Sequence, residues 1–283
     1  MTTRRDRALI LRRFPFGETS LVLHVVTREH GRVHLLAKGA YRPKSRFWCV
    51  LDLFDTLDLE WSHAARRELQ LLQAGSITRR RHRIASDLRR YRAALTALEL
   101  TELGAQEAQP CPELFDLLAR TLDRLLPEGP APDLALVVFE LGFLGQLGLS
   151  PALSVCAACG GPAPPATSPA PRSGPPVEER AAFSAGAGGR LCEPCGAEAR
   201  RSGRRVGTLP TRMLEAAQRL SLAGAFEGSG QDPDAGELES LRDFVARFLE
   251  YHLQGRPKSY RDFLRAPNRN QPKPPLRAAA PDP

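Results

Sequence analysis

Four cysteines are the residues of this chain whose types and spacing most clearly predict chemistry. They form two Cys-x-x-Cys pairs, Cys156 with Cys159 and Cys192 with Cys195, and glycine follows each pair directly. A two-residue spacer lets both sulfurs of a pair point at one ion, and four thiolates satisfy tetrahedral Zn²⁺. The glycine allows the chain to turn away behind the ion. The pattern therefore predicts one structural zinc; a redox dithiol, two disulfides and a cluster that has lost its metal are the alternatives.

A catalytic zinc is disfavoured by the same residues. Four thiolates fill the coordination sphere, whereas a catalytic centre keeps a position for water and commonly uses histidine. No histidine lies between Cys156 and Cys195 in the sequence. The 32 residues between the pairs exceed the roughly 15–20 of a compact zinc ribbon. Residues 160–189 account for the excess, because their seven prolines and many small residues predict a flexible insertion.

The charge of the chain is concentrated at its two ends. The net charge of +8 divides into +9 over residues 1–83, −6 over residues 84–254 and +5 over the last 29 residues. A basic terminal segment favours an acidic partner such as nucleic acid or a membrane surface. No run of eighteen apolar residues and no signal-peptide core is present. Six cysteines, four of them paired for metal, suit a reducing cytoplasm.

The elements that must position these groups begin with β structure. Short runs of β-branched and alternating residues predict five strands in about seventy residues. Five short strands fit a closed barrel better than an open sheet, because closure removes the edges. An OB-fold is the first choice and an SH3-like barrel the alternative. The predicted strands are Ala8–Leu11, Thr19–Thr27, Arg32–Lys38, Leu57–Trp61 and Glu68–Leu72.

A helical period follows from Ser86, the predicted N-cap of a helix with Leu88 on its buried face. Residues 134–147 are apolar nearly all round, which predicts the central helix of a bundle. The fold class is therefore α+β, with the Cys₄ zinc module inserted into one helical domain. The predicted parts are an OB-fold barrel (1–82), a first helical part (83–152), the zinc module (153–205), a second helical part (206–265) and a disordered tail (266–283).

Two basic runs are the candidates for binding nucleic acid. The first leaves the third strand and places a tyrosine among cations, a combination that suits phosphates and a stacked base. The second lies where barrel passes into helices. Each has a plainer interpretation as a solvated loop or linker. The predicted contacts are Lys38, Arg42, Lys44 and Arg46 in the first run and Arg79, Arg80 and Arg81 in the second.

Motifs for catalysis are missing from the sequence. It contains no Gly-x-x-x-x-Gly-Lys-Ser/Thr loop, no Gly-x-Gly-x-x-Gly after a strand and no His-Glu-x-x-His. Asp52, Asp55 and Asp58 are the best acidic cluster, but no second cluster exists to share metal ions with them. We expect a protein that is not an enzyme.

The order of these features resembles the RecO family of DNA repair and recombination mediators. Gly17-Glu-Thr-Ser20, Thr27-Arg-Glu-His-Gly31 and Lys38-Gly-Ala40 in the barrel resemble that family. So do Phe183-Ser184 and Leu191-Cys192 before the second cysteine pair. The resemblance covers about residues 5–265. Some family members lack the cysteines, so the zinc prediction depends on the four in this chain.

The resemblance implies an OB-fold that binds single- and double-stranded DNA and anneals complementary strands in the bacterial nucleoid. It also implies RecR and the C-terminal tail of single-strand-binding protein as partners, with RecA loading as the outcome. An apolar pocket for that acidic tail needs a cationic rim, for which Arg242, Arg247, Arg256 and Lys258 are candidates. A zinc-ribbon RNA-binding or transcription factor and a zinc-dependent hydrolase are the alternative classes.

Overall fold

The computed structural model describes residues 2–47, 49–164, 178–222, 232–253 and 257–262. Its first five strands close into a barrel. The order around it is β1-β2-β3-β5-β4, and β1 pairs with both β2 and β4. The pairing of β3 with β5 is parallel, and the others are antiparallel. This topology confirms the predicted OB-like barrel. The strands are β1 (Thr2–Phe16), β2 (Ser20–Thr27), β3 (Gly31–Ala37), β4 (Thr56–His63) and β5 (Leu69–Arg79).

Two strands are much longer than their sequence patterns predicted. The pattern predicted β1 only over Ala8–Leu11, but the strand continues at both ends because it pairs with two neighbours. The predicted end of β5 was Leu72, but the strand runs on to Arg79 opposite Thr56 of β4. Hydrogen bonds to neighbouring strands therefore hold these polar segments in strand conformation, although the segments lack an alternating apolar pattern.

Six helices are described beyond the barrel. The first helix begins at Leu88, and its N-cap is Asp87, which accepts a 2.9 Å hydrogen bond from the Arg90 N–H. The prediction of Ser86 as the cap is wrong, because Ser86 lies in a preceding 3-10 turn. Leu88 is 68% exposed, since the buried face of this helix begins at Ala93. The helices are α1 (Leu88–Gly104), α2 (Pro112–Arg124), α3 (Pro132–Gln146), α4 (Glu193–Arg201), α5 (Thr211–Leu222) and α6 (Ala235–His252).

Helix α3 is the centre of the helical body, as its apolar sequence predicted. It packs against α1, α2, α5 and α6. Its one buried charge is Glu140, whose two carboxylate oxygens each lie 3.0 Å from Nη1 of Arg242. The Tyr260 hydroxyl donates a third hydrogen bond to Glu140 at 2.8 Å. Burial raises the pKa of Glu140, while Arg242 and Tyr260 oppose that rise. The network thereby ties α6 and the 3-10 turn at Lys258–Asp262 to α3.

Removing the carboxylate by Glu140→Ala is expected to lower the free energy of unfolding by about 3–5 kcal/mol. The substitution takes away the carboxylate that faces the buried Arg242 guanidinium, and breaking a buried pair is strongly destabilising. Tyr260→Phe removes one hydrogen bond to a charged group and is expected to cost about 1.5–3 kcal/mol. Urea unfolding followed by circular dichroism measures both. A Glu140→Ala protein within about 1 kcal/mol of the parent would contradict this assignment.

A small sheet lies beside the cysteine pairs. Strands β6 (Arg180–Ser184), β7 (Gly189–Leu191) and β8 (Gly207–Pro210) form it in the order β7-β6-β8. Residues 180–189 were predicted to belong to a flexible insertion, but β6 and a 3-10 turn occupy most of them. The Pro-rich residues 165–177 lie outside the described part of the chain. Strand β8 joins this sheet although the sequence placed its residues in the second helical part. The predicted tail (266–283) lies outside the described residues.

Candidate metal centre and nucleic-acid interface

The fold brings the four predicted metal ligands together. The Sγ atoms of Cys156, Cys159, Cys192 and Cys195 all lie within 4.8 Å of one another, and those of Cys159 and Cys192 are 3.9 Å apart. Tetrahedral zinc with Zn–S bonds of about 2.3 Å needs sulfurs about 3.8 Å apart. Each of the four cysteines is a free thiol. The cluster therefore fits a closed four-thiolate site with small shifts of the side chains.

Local backbone geometry explains why the cysteine pairs converge. In the first pair, the Gly160 N–H donates to the Cys156 carbonyl, and the Cys156 N–H donates to the Gly161 carbonyl. Gly160 has a φ of +71°, the left-handed conformation predicted for the glycine behind the pair. In the second pair, Cys192 is the N-cap of α4 and Cys195 lies in the first turn of that helix. A tight turn and a helix start thus present two sulfurs each.

Backbone amides favour negative charge at this cluster. Burial would raise the pKa of the Cys156 thiol, but hydrogen bonds from backbone groups of Cys192, Cys159 and Ala158 lower it to about 6. Hydrogen bonding to Cys192 raises the pKa of Cys195 to about 12, because its proton is shared within the cluster. A metal cation would replace that proton and stabilise all four thiolates. The residues present therefore suit a bound cation.

The separate apolar cluster around the cysteines is small. Only Cys156, Ala163, Leu191 and Ala199 are buried in it, among the described residues. Small cores of this kind usually need a metal or disulfides. We expect the segment around the cysteines to depend on a bound cation for its fold, whereas β6 also packs against the main core through Ala181 and Phe183.

The predicted basic loop lies on the barrel with its charges available. Lys38, Arg42, Lys44 and Arg46 are exposed, and within the described residues none of them forms an ion pair. The Arg46 guanidinium lies 5.2 Å from the centre of the Phe47 ring, which is buried. Cations without acidic partners remain free to contact phosphates.

Arg81 was predicted to contact DNA, but the structure contradicts that role. It is a buried structural residue. Its side chain is 2% exposed and donates to the Phe54 carbonyl and to the Thr56 hydroxyl at 2.9 and 2.8 Å. It also pairs with the carboxylate of Asp123 in α2 at 2.9 Å. A buried guanidinium with these partners cannot reach a phosphate. Arg81 instead joins the barrel to the helical body.

The neighbours of Arg81 differ from it. Arg79 is exposed but pairs with Asp123 at 2.9 Å. Burial would raise the pKa of Asp123, but its hydrogen bonds and attraction to Arg81 and Arg79 lower it. Arg80 is exposed and donates a 3.5 Å hydrogen bond to the Cys49 carbonyl. Of the second basic run, Arg80 alone is exposed without an acidic partner in the described residues.

An aromatic row on the outer face of the barrel is the feature that sequence analysis missed. Phe14 lies opposite Val22 of β2, and Arg12 lies opposite His24. The Phe14 and His24 rings are 5.2 Å apart, and His24 stacks on His34 of β3 at 4.1 Å. The Arg12 guanidinium lies 4.8 Å from the centre of the Phe14 ring. The row faces the helical body, because Glu102 of α1 lies 2.7 Å from His24 and 3.6 Å from Arg12.

A β-bulge explains why the row was missed. The register of β1 against β2 shifts between Ile10 and Arg12, and four consecutive residues, 8–11, are buried before it. A bulge changes which face each following side chain occupies. Arg12, Phe14 and Phe16 therefore follow an alternation that the preceding residues do not predict. The only available signal was the Arg-Arg-Phe-Pro-Phe sequence at residues 12–16.

The predicted rim for an acidic peptide is only partly available. Arg242 is buried against Glu140, so it cannot belong to a rim that contacts a peptide. Arg247 pairs with Asp243 at 2.8 Å. Arg256 lies outside the described residues. Lys258 is exposed and borders a groove of about 390 Å³ between β1, α1 and the final 3-10 turn. The groove is lined by Leu11, Arg12, Arg92, Leu95, Glu99, Glu102, Lys258 and Ser259.

Among the described helices, none has the length and apolarity that a bilayer-crossing segment requires.

Comparison with known proteins matches both parts of the chain. A family model described as Recombination protein O N terminal matches residues 1–81, and one described as Recombination protein O C terminal matches residues 85–261. The DNA repair protein RecO of Anaeromyxobacter sp. (strain Fw109-5) is 34% identical over 90% of this chain and 93% of its own length. The RecO protein of Myxococcus xanthus (strain DK1622) is 33% identical over 92% of this chain and 96% of its own length. The RecO protein of Streptomyces coelicolor is 30% identical over 92% of this chain and 98% of its own length.

Proposed function

This chain belongs to the RecO family of DNA repair proteins, and from that premise we propose that it binds single- and double-stranded DNA and anneals complementary strands. The expected place of action is the bacterial nucleoid. The supporting observation is the OB-like barrel with a loop of exposed cations, Lys38, Arg42, Lys44 and Arg46, that lack acidic partners in the described residues. Phosphate contacts position a strand without selecting its sequence. Annealing any pair of complementary strands requires that tolerance.

Charge distribution supports a single main DNA surface on the barrel. Residues 1–83 carry a net +9, whereas residues 84–254 carry a net −6. Two DNA strands repel one another, and a positive surface lowers that repulsion. The helical body is the better place for protein contacts. We therefore assign DNA to the barrel and RecR to the remainder of the molecule, with RecA loading as the result of their joint action.

The tail of single-strand-binding protein is assigned to the groove beside Lys258. Its floor includes Leu11 and Leu95, and its border includes Arg12, Arg92 and Lys258. An acidic peptide with apolar side chains is complementary to an apolar floor with a cationic border. The groove also contains two carboxylates: Glu99 accepts hydrogen bonds from the Lys258 and Ser259 N–H groups, and Glu102 pairs with Arg12 at 3.6 Å. The assignment therefore depends mainly on Lys258 for attraction to the peptide.

The metal is assigned as one structural Zn²⁺ held by Cys156, Cys159, Cys192 and Cys195. Thiolate ligands select zinc over magnesium or calcium, and four of them leave no position for substrate. We propose that the protein acts without catalysing a covalent reaction. No phosphate-binding Gly-Lys-Ser/Thr motif is present in the sequence to couple ATP hydrolysis to annealing.

An annealing assay tests this function. Complementary fluorescent oligonucleotides coated with single-strand-binding protein are mixed with the full-length protein, with and without ATP, and duplex formation is followed by energy transfer. We expect acceleration that does not depend on ATP. Acceleration only with ATP, or none, would contradict the proposal. A preference for RNA strands in the same assay would instead favour a zinc-ribbon RNA-binding function.

A further inference from the structure

Two exposed aromatic rings flank the turn between β1 and β2. Phe16 is the last residue of β1 and lies opposite Ser20. Tyr41 lies beside the same turn, because its N–H donates to the Thr19 carbonyl at 2.9 Å. Phe16 is 55% exposed and Tyr41 48%, and no other large apolar side chain is exposed in the described part of the barrel. The β1–β2 turn is one of the loops with which OB-folds bind oligonucleotides, so exposed rings beside it are candidates for contacting a ligand.

The backbone under Tyr41 is ordered before any ligand arrives. Gly39 has a φ of +67°, and its carbonyl accepts a 3.1 Å hydrogen bond from the Arg42 N–H. The Gly39 N–H also donates to the Ser20 hydroxyl at 3.4 Å. These bonds connect the loop to the β1–β2 turn on which Phe16 lies. A preordered surface loses less conformational entropy on binding.

The charges beside the rings restrict what the ligand can be. Lys38, Arg42 and Lys44 surround Tyr41 in sequence, are exposed and have no ion pair in the described residues. A ligand that suits both features must present flat apolar groups and negative charges in alternation. Single-stranded DNA does so, because each nucleotide carries one base and one phosphate. In a duplex the bases are paired and stacked inside, so only phosphates remain for the cations.

We propose that Phe16 and Tyr41 stack on unpaired bases and thereby make the barrel distinguish single-stranded from duplex DNA. The inference rests on the proposed DNA-binding function and assigns its single-strand contacts. Stacking on two rings is expected to strengthen binding about a hundredfold, at roughly tenfold per ring. The cations, by contrast, contribute to both kinds of DNA.

The experiment compares an ordinary oligonucleotide with an abasic strand of the same length and charge. Fluorescence anisotropy at fixed salt measures the affinity of the full-length protein for each. The parent protein is expected to bind the base-bearing strand about a hundredfold more tightly. In Phe16→Ala/Tyr41→Ala that ratio should fall close to one, while affinity for the abasic strand and for duplex stays unchanged. Phe16→Trp/Tyr41→Trp should keep the ratio, because tryptophan also stacks.

The matched control is Tyr251→Ala, which removes an equally exposed ring from α6 and should leave the ratio unchanged. A ratio that survives the double alanine substitution would overturn the inference. So would a parent protein that binds both strands equally, although DNA binding itself would then stand. Failure of the parent to bind any strand would overturn the proposed function instead.

Discussion

Replacing Cys192 by serine is expected to release the metal and unfold the module around it while the barrel stays folded. Structural zinc contributes about 10–16 kcal/mol in zinc-finger peptides, and much of it is folding energy. The small core around Cys156 cannot replace that contribution. Serine is a good N-cap residue, so the start of α4 keeps its capping chemistry. Any loss of structure then reports on the metal.

Metal analysis of freshly purified protein should give one zinc per chain in the parent and none in Cys192→Ser. Limited proteolysis should cut the variant first between residues 153 and 210. Cys49→Ser is the matched control, because Cys49 is an exposed cysteine outside the cluster and should leave zinc and proteolysis unchanged. A parent protein without zinc, or one with a Cys156–Cys159 disulfide, would disprove the assignment.

Removing the four cations of the basic loop is expected to weaken binding to single-stranded DNA on the order of a hundredfold or more at about 0.1 M salt. The variant replaces Lys38, Arg42, Lys44 and Arg46 with alanine. Each lost phosphate contact should lower the slope of log affinity against log salt by about 0.7, so four should lower it by about 3. Anisotropy titrations at several salt concentrations measure affinity and slope together.

The control removes the same net charge from the helical body. Arg89, Arg212, Arg219 and Arg247 are exposed on α1, α5 and α6, and their replacement by glutamine should change the slope little. Equal slopes in the two variants would show that only net charge matters. An unchanged affinity in the loop variant would remove this loop from the interface. The Phe16/Tyr41 variant should differ from both, because stacking changes affinity for single strands at constant slope.

Patterns that are local in the chain predicted much of this structure. The Cys-x-x-Cys pairs predicted a four-sulfur cluster because short covalent spacing already directs two sulfurs to one point. The apolar run in α3 predicted a central helix because its side chains face the interior in every direction. The exposed loop at Lys38–Arg46 is similarly local: glycine, proline and several cations in succession disfavour burial.

Features that depend on distant partners were decided only by the tertiary structure. Arg81 belongs to a basic run, yet Asp123 of α2 and the carbonyl of Phe54 draw it into the interior. Arg242 is buried because Glu140, 102 residues away in sequence, faces it. A charged side chain is predicted at the surface from sequence alone, since burial is favourable only where a partner compensates the lost hydration.

The aromatic residues on the outer face of the barrel were also placed by the tertiary structure and not by the local sequence pattern. The predicted first strand ended at Leu11 and assigned no face to Phe14 or Phe16, and the bulge between Ile10 and Arg12 sets the face on which they lie. The pairing of β2 with both β1 and β3 then places Phe16 next to the loop that contains Tyr41. Sequence determines which side chains can stack, bind metal or carry charge. Strand register and long-range pairing determine which of them meet solvent, because burial depends on neighbours that the local sequence does not contain.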